Sequence, residues 1–376
     1  MPPNKADMVA VWKGAQAAFH GQNPYSASTT RDIQIFYYGR PLTPDDHVNP
    51  MGFAYPMHTI LLFAPIAPLP WPVVRLGFLI LLPILVAASV VLWLRVAGLH
   101  LSRGSLAVTV ILCLCSWQSM WAIHQIQPTI VVAVLAAAGC FFLQRGNAAT
   151  AGVLLALATI KPQLIGILVL WLLLWAFLRG IWRLFVSFAL TLSVLLACAT
   201  WLLPNWVTNW RTASADYAVY RHLQLDLQLA FGHAAGLVCA SVIAVVMLAI
   251  LWQNRRCEPH SPEFGSMCAL CLALTLCVLP TERAMTYNYI LLFPACLILI
   301  HAAPGNYYAA LARRIALGLI VWSYLIVPLA GVLDFLLGPS DRWEGLPFET
   351  LLIPAVVLIA LIAPILASTT VPAQPA

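Results

Sequence analysis

Apolar residues run along this chain in continuous blocks, and the polar residues gather in the short gaps between them. The blocks read as membrane spans at 71–96, 105–122, 127–143, 148–160, 163–178, 184–203, 233–252, 265–280, 287–303, 315–336 and 349–366. A helix needs about 20 apolar residues to cross the hydrocarbon layer, so the pattern predicts a polytopic all-α membrane protein with about eleven transmembrane helices. Continuous runs of Leu, Ala and Val exclude a β-barrel, whose strands alternate. Two blocks, 148–160 and 163–178, are short and flank "IKPQ", which suggests a helical hairpin with its tip near an interface or cavity. Residues 57–69, "MHTILLFAPIAPL", are apolar but short and broken by proline, and read as a helix lying along the membrane surface.

The first 70 residues follow a different pattern. Met8, Trp12, Ala15 and Phe19 fall on one face of a helix, with His20-Gly21 as its stop. This predicts an interfacial helix with Asp7 at its head. An acid at a helix start is an ordinary arrangement, and that reading stands beside a functional one. Residues 23–56 are punctuated by Pro and Gly and read as a loop.

Composition agrees with the blocks: 62% of the 376 residues are hydrophobic and 9% charged, against roughly 25% charged in soluble domains. Charge then orients the layout. With residues 1–70 outside, the inside turns hold Arg95, Arg103, Arg145, Arg179, Arg183, Arg255, Arg256, Arg313 and Arg314, with only Glu258 and Glu263 as acids. Positive charge retained on the cytoplasmic side places the N-terminal segment out and the C-terminus in. The layout is an extracytoplasmic segment at 1–70, a helical membrane domain at 71–366 and a cytoplasmic, disordered tail at 367–376, in the cytoplasmic (inner) membrane. The net charge of +6 follows from this topology and calls for no nucleic acid. The ten cysteines lie in or beside apolar segments; Cys268 and Cys271 form a C-x-x-C on a spanning helix, read as packing.

Polar chemistry collects on the outer side. Lys161 is the one lysine inside the hydrophobic body. An ammonium at that depth either serves function or snorkels to an interface. If functional, it suits a lipid-linked phosphate, with Gln125 and Gln127 as polar donors on the same side. Glu282-Arg283 is a local pair or helix cap, or else Arg283 is a second phosphate ligand through its planar fork. Tyr55-Pro56 reads as a rigid turn with an aromatic anchor, and Tyr287, Asn288 and Tyr289 open a late span in aromatic-belt fashion. His47 and His58 have no ligand spacing, so no metal and no other cofactor is expected. No Gly-rich phosphate loop, G-x-S-x-G elbow or H-E-x-x-H occurs.

Taken in order, "ADMVAVWKGAQAAFHGQNPY", "GFAYPMHTILLFAPIAPLP", "HQIQPT", "RGNAATAGVLLALATIKPQ", "RGIWR" and "TYNYILLFP" resemble glycosyltransferase family 87, over about residues 5 to 300. These are integral-membrane enzymes of the GT-C fold that use polyprenyl-phosphate sugars, typically mannose. The resemblance implies a hexosyltransferase that moves sugar from a polyprenyl-phosphate donor to a lipid or glycan hydroxyl at the outer face, with inversion. It implies Asp7 as catalytic base, and it aligns the intact Lys161-Pro162 pair, His124-Gln125 in place of a Gly-Gln pair, and Tyr55-Pro56 in a turn that lacks the family's second proline. Tyr287-Asn288 stands where the family often has a histidine. Lys161, Arg283, Tyr55, Gln125 and Asn288 are therefore the expected substrate-binding residues. A transporter or flippase of lipid-linked sugars, or an inactive truncated homologue, would share much of this pattern; a transporter would show repeated halves, and none is visible.

The resemblance also implies a membrane helix ahead of Met1, because such enzymes open on one that delivers the catalytic loop outward. The expected outcome is that genomic sequence upstream of Met1 encodes, in frame, an apolar run of ~20 residues; a stop codon or polar stretch there would count against it.

Overall fold

The computed structural model describes residues 5–43, 45, 46, 48–221, 228, 232–278, 286–301 and scattered positions between 310 and 321. The expected spans 315–336 and 349–366 and the tail fall almost wholly outside these residues, as do His47, Glu282 and Arg283. The described residues are helical, with no strand among them.

The N-terminal segment forms three helices. α1 (Met8–Phe19) is buried over most of its circumference, with Val9, Ala10 and Val11 as deep as Met8 and Trp12, while Phe19 is exposed. The single interfacial face expected from the sequence is thus replaced by a helix enclosed in protein. One neighbour is α2 (Ala27–Tyr38), in a region expected to be loop. Ser26 caps it by accepting from the Thr29 N–H, and Gly39 closes it in the left-handed region, which glycine enters without steric cost. The other is α3 (His58–Phe63), extended by a 3-10 turn over Ala64–Ile66; it packs on α1. Trp12 Nε1 and Gln16 Nε2 donate to the carbonyls of Leu69 and Ala67, at 3.1 Å each, and so fasten α1 to the end of that turn.

Next comes α4 (Trp71–Val96), which coincides with the first expected span. It buries one stripe, Val74, Phe78, Leu82, Val86 and Val90, yet exposes another of the same character, Val73, Leu76, Ile80 and Ile84. A helix apolar all round belongs in protein core or lipid, and the exposed stripe here has no protein cover among the described residues. α4, α10 (Trp182–Leu202) and α12 (His233–Gln253) are the three described helices long and apolar enough to span a membrane unaided. The expected span 105–122 is instead two helices, α5 (Arg103–Leu114) and α6 (Trp117–His124), bent by 57°. The break falls where Ser116 caps α6 through the Ser119 N–H. Shorter apolar helices follow: α7 (Thr129–Gln144), α8 (Ala148–Leu157) with a 3-10 turn Ala158–Ile160, and α9 (Pro162–Leu178). After α11 (Trp206–Arg221) and α12 come α13 (Pro262–Val278), a 3-10 helix Thr286–Leu292 and α14 (Phe293–His301).

The core is a set of close helix pairs: α8 on α10, α4 on α7, α7 on α8 and α13 on α9. The α8–α10 crossing depends on Gly152, where an added Cβ would lie 2.6 Å from the Leu184 carbonyl oxygen and 2.8 Å from the Phe188 nitrogen. Small residues let helix backbones approach in lipid, where packing rather than water expulsion drives association. Cys140 of α7 brings its Sγ to 3.7 Å from that of Cys268 on α13, and all ten cysteines are free. Gly152→Leu is expected to destabilise the detergent-solubilised protein by about 1–3 kcal/mol, read as a lowered midpoint of thermal unfolding. Gly166→Leu, which meets nothing within 4 Å, should leave the midpoint in place.

Candidate functional site

The site is assembled at Lys161, the turn residue between the α8 hairpin arm and α9, belonging to neither. The following Pro162 takes the first position of α9, where a missing N–H costs nothing. It also keeps Lys161 out of the helical region, at φ −127° and ψ 76°. The turn is held from α3: His58 Nε2 donates to the Thr159 carbonyl at 3.2 Å, and Thr59 Oγ1 donates to the Ile160 carbonyl at 3.4 Å.

So positioned, Lys161 is 6% exposed and does not snorkel. Its ammonium donates to Gln127 Oε1 and to Thr129 Oγ1, both at 2.9 Å. The rings of Tyr55 and Tyr287 lie 5.6 and 5.5 Å from it, close enough for cation–π attraction. Thr129 passes the polarity on by donating to Asn288 Oδ1 at 2.9 Å.

Asp7 reaches the cluster from the head of α1. Its own backbone is helical and its side chain makes no cap bond, so it does not cap α1. The carboxylate accepts instead from Gln127 Nε2, and the Asp7 N–H donates to the Gln125 carbonyl at 2.9 Å. One amide side chain therefore touches the carboxylate with its nitrogen and the ammonium with its oxygen.

Tyr55 is placed by bonds to its backbone neighbourhood. Tyr25 Oη donates to the Tyr55 carbonyl at 2.8 Å and Trp210 Nε1 to the Ala54 carbonyl at 3.1 Å. Tyr25 and Tyr55 also flank the buried Phe53 ring.

Of the residues expected from the sequence, Asp7, Lys161, Tyr55 and Asn288 come together. Gln125 contributes its backbone carbonyl, and its Oε1 is buried with no hydrogen-bond partner among the described residues. Arg283 lies outside the described residues. Gln127, expected only as a polar donor on the same side, joins the cluster together with Thr129 and Tyr287, which were not among the expected ligands. The signal for the first two was the polar "HQIQPT" directly at the head of a long apolar run; polar residues entering a buried helix need partners there. Among the described residues no group of three or more His, Cys, Asp or Glu side chains could hold a metal ion.

Comparison with known proteins gives one result. A family model, glycosyltransferase family 87, matches residues 53–280; this stretch contains Tyr55, Gln125, Gln127, Thr129 and Lys161, and leaves Asp7 and Asn288 outside. No curated protein and no solved structure matches the chain. The match covers more than half of the sequence, and the chain belongs to glycosyltransferase family 87.

Proposed function

We propose that this protein is an inverting hexosyltransferase of the GT-C fold, set in the inner membrane with its site on the outer face. It transfers a sugar, mannose by preference, from a polyprenyl-phosphate donor to a hydroxyl of a lipid or glycan acceptor. Family membership supports sugar transfer over transport of a lipid-linked sugar. The observation that carries the finer reading is the buried cluster itself, in which a carboxylate and an ammonium sit at the two ends of one amide.

The chemistry needs both charges. The acceptor oxygen forms a bond to the anomeric carbon as the bond from that carbon to the phosphate oxygen breaks. Asp7 takes the acceptor's proton, a role worth typically 10²–10⁴ in rate. The leaving polyprenyl phosphate carries away the bonding electrons, and its growing charge is met by Lys161, a preorganised donor in a site shielded from water. The ammonium has three N–H groups and spends two on Gln127 and Thr129, which leaves one for a phosphoryl oxygen. Gln125 Oε1 is an acceptor open to a sugar hydroxyl. Tyr55 and Asn288 fix the ammonium's surroundings. Arg283 is the second candidate phosphate ligand, on its chemistry alone.

Asp7→Asn should lower turnover with a polyprenyl-phosphate sugar by about 10²–10⁴-fold, while membrane insertion and thermal stability stay as in the parent; undiminished turnover removes Asp7 as base. Lys161→Gln removes the charge that would meet the phosphate and should raise donor KM at least about tenfold; an unchanged donor KM in that variant would remove Lys161 as the phosphate ligand.

A further inference from the structure

Three features converge on Gln127. It is 1% exposed, so no solvent shares its amide. Both of its polar ends are engaged by charged groups of opposite sign, and this fixes the amide's orientation: an ammonium can only donate and a carboxylate can only accept. The oxygen must face Lys161 and the nitrogen Asp7, as found.

The backbone carrying it is also constrained. Ile126, a fully buried β-branched residue, sits at φ +50°, a left-handed conformation that is a true outlier for such a side chain. Strain of this kind costs about 1–3 kcal/mol and persists only where the surroundings enforce it. Here they do. The Ile126 N–H donates to Ile123 and the Gln127 N–H to Ala122, closing α6, while the Gln125 carbonyl receives the Asp7 N–H. On the other side Pro128 starts α7. The strained turn thus aims a backbone carbonyl and a side-chain amide at the same acidic residue.

We propose that Gln127 is a positioning residue: a neutral bridge that holds the Asp7 carboxylate and the Lys161 ammonium apart, keeping both charged without a direct ion pair. It presupposes the roles given above to Asp7 and Lys161. The physical reason is a conflict between those roles. A base and an anion ligand drawn into contact would satisfy each other; the ammonium's free N–H would be spent on the carboxylate, and a carboxylate beside a cation loses basicity. Removing solvent between them strengthens that pull. An amide resolves it, because its N–H favours the ionised acid and its carbonyl favours the ionised amine, with no charge of its own.

The consequence is a pH signature that a purely structural residue would not give. Gln127→Leu still fills the space between the two charges and removes only the amide's two hydrogen bonds, so the Asp7 pKa should rise and that of Lys161 fall, and the two limbs of the profile of kcat/KM against pH move toward each other. The titratable neighbours among the described residues are the phenols of Tyr55 and Tyr287 beside the ammonium and His58, turned to Thr159; His124 stacks on Trp121 instead. All are retained in the variants below.

The test is Gln127→Leu and Gln127→Glu in the full-length protein in detergent. Turnover of polyprenyl-phosphate sugar is measured across pH, alongside an infrared titration of the Asp7 carboxyl band, assigned by its loss in Asp7→Asn. Gln127→Leu is expected to lower kcat by about 10²-fold, as misplacement of catalytic groups by an ångström does, and to narrow the profile from both sides. Gln127→Glu adds a carboxylate next to Asp7 and should shift the infrared midpoint upward, even where Gln127→Leu does not fold. Limbs and infrared midpoint that stay at their parental pH overturn the proposal, whatever happens to the rate. An infrared shift in a protein whose parent transfers no sugar from this donor keeps the bridge and overturns the donor reading instead.

Discussion

An ammonium removed from water must be met by fixed acceptors, and that requirement organises this molecule. Lys161 lies in the hydrophobic body with almost no exposure, where an unmatched charge would cost several kcal/mol. Its partners come from separate parts of the chain: Gln127 and Thr129 from the α6–α7 junction, the rings of Tyr55 from the N-terminal segment and of Tyr287 from the 3-10 helix ahead of α14. Each of these elements has its position set by a different neighbour. His58 and Thr59 grip the turn before Lys161, and Thr129 is tied on to Asn288. The cluster is therefore a point where separate segments of the chain must agree, and a directional polar network specifies one arrangement where apolar packing alone would tolerate several.

The helices around it supply the rigidity that such agreement needs. Pairs such as α8 on α10 approach through Gly152 to backbone contact, so the arms of the Lys161 hairpin have little room to shift. α8 is only ten residues long, about 15 Å of helix, half of the hydrocarbon thickness. The turn that follows it is enclosed by α3 and the α6–α7 junction. Short helices, an inward-turned lysine and a close helix crossing are three aspects of one design.

How much of this could be read from residues alone depends on the range of the interaction. Local periodicity and hydropathy located α4, α9, α10 and α12 to within a residue or two, because a continuous apolar run and its terminal residues are sufficient cause for a spanning helix. Lys161 stood out for the same reason, as an exception to the run. What the pattern could not carry was the set of interactions between distant segments. The break at Ser116 is invisible to hydropathy, since Cys115 and Ser116 are small and both halves are apolar; a capping serine decides it. α2 was missed because its β-branched and aromatic residues, and the prolines around it, read as loop, although Ser26 with Thr29 and Gly39 mark its two ends. The burial of α1 on nearly all sides depends on α2 and α3 folding over it, which no single-helix face can foretell. Gln127 was seen as one polar residue among several, and its importance lies wholly in what stands on either side.

That last point bears on how Asp7 is held. It lies outside the stretch that defines the family match, at the head of a helix that meets the α6–α7 junction through the Asp7 N–H to Gln125 and the carboxylate to Gln127. The remainder of α1 is fastened to the N-terminal segment itself, by Trp12 to Leu69 and Gln16 to Ala67, and by aromatic packing of Trp12 on Phe36 and Trp71. The carboxylate and the ammonium thus come from different segments, and residues 125–127 join them directly while α3 links α1 to the Lys161 turn. A direct ion pair across that joint would hold by charge at almost any angle, since Coulomb attraction is weakly directional. An amide bonded at both ends holds only at one distance and one orientation. For a reaction that must line up an acceptor oxygen, an anomeric carbon and a leaving phosphate, the directional bond is the one that defines a geometry.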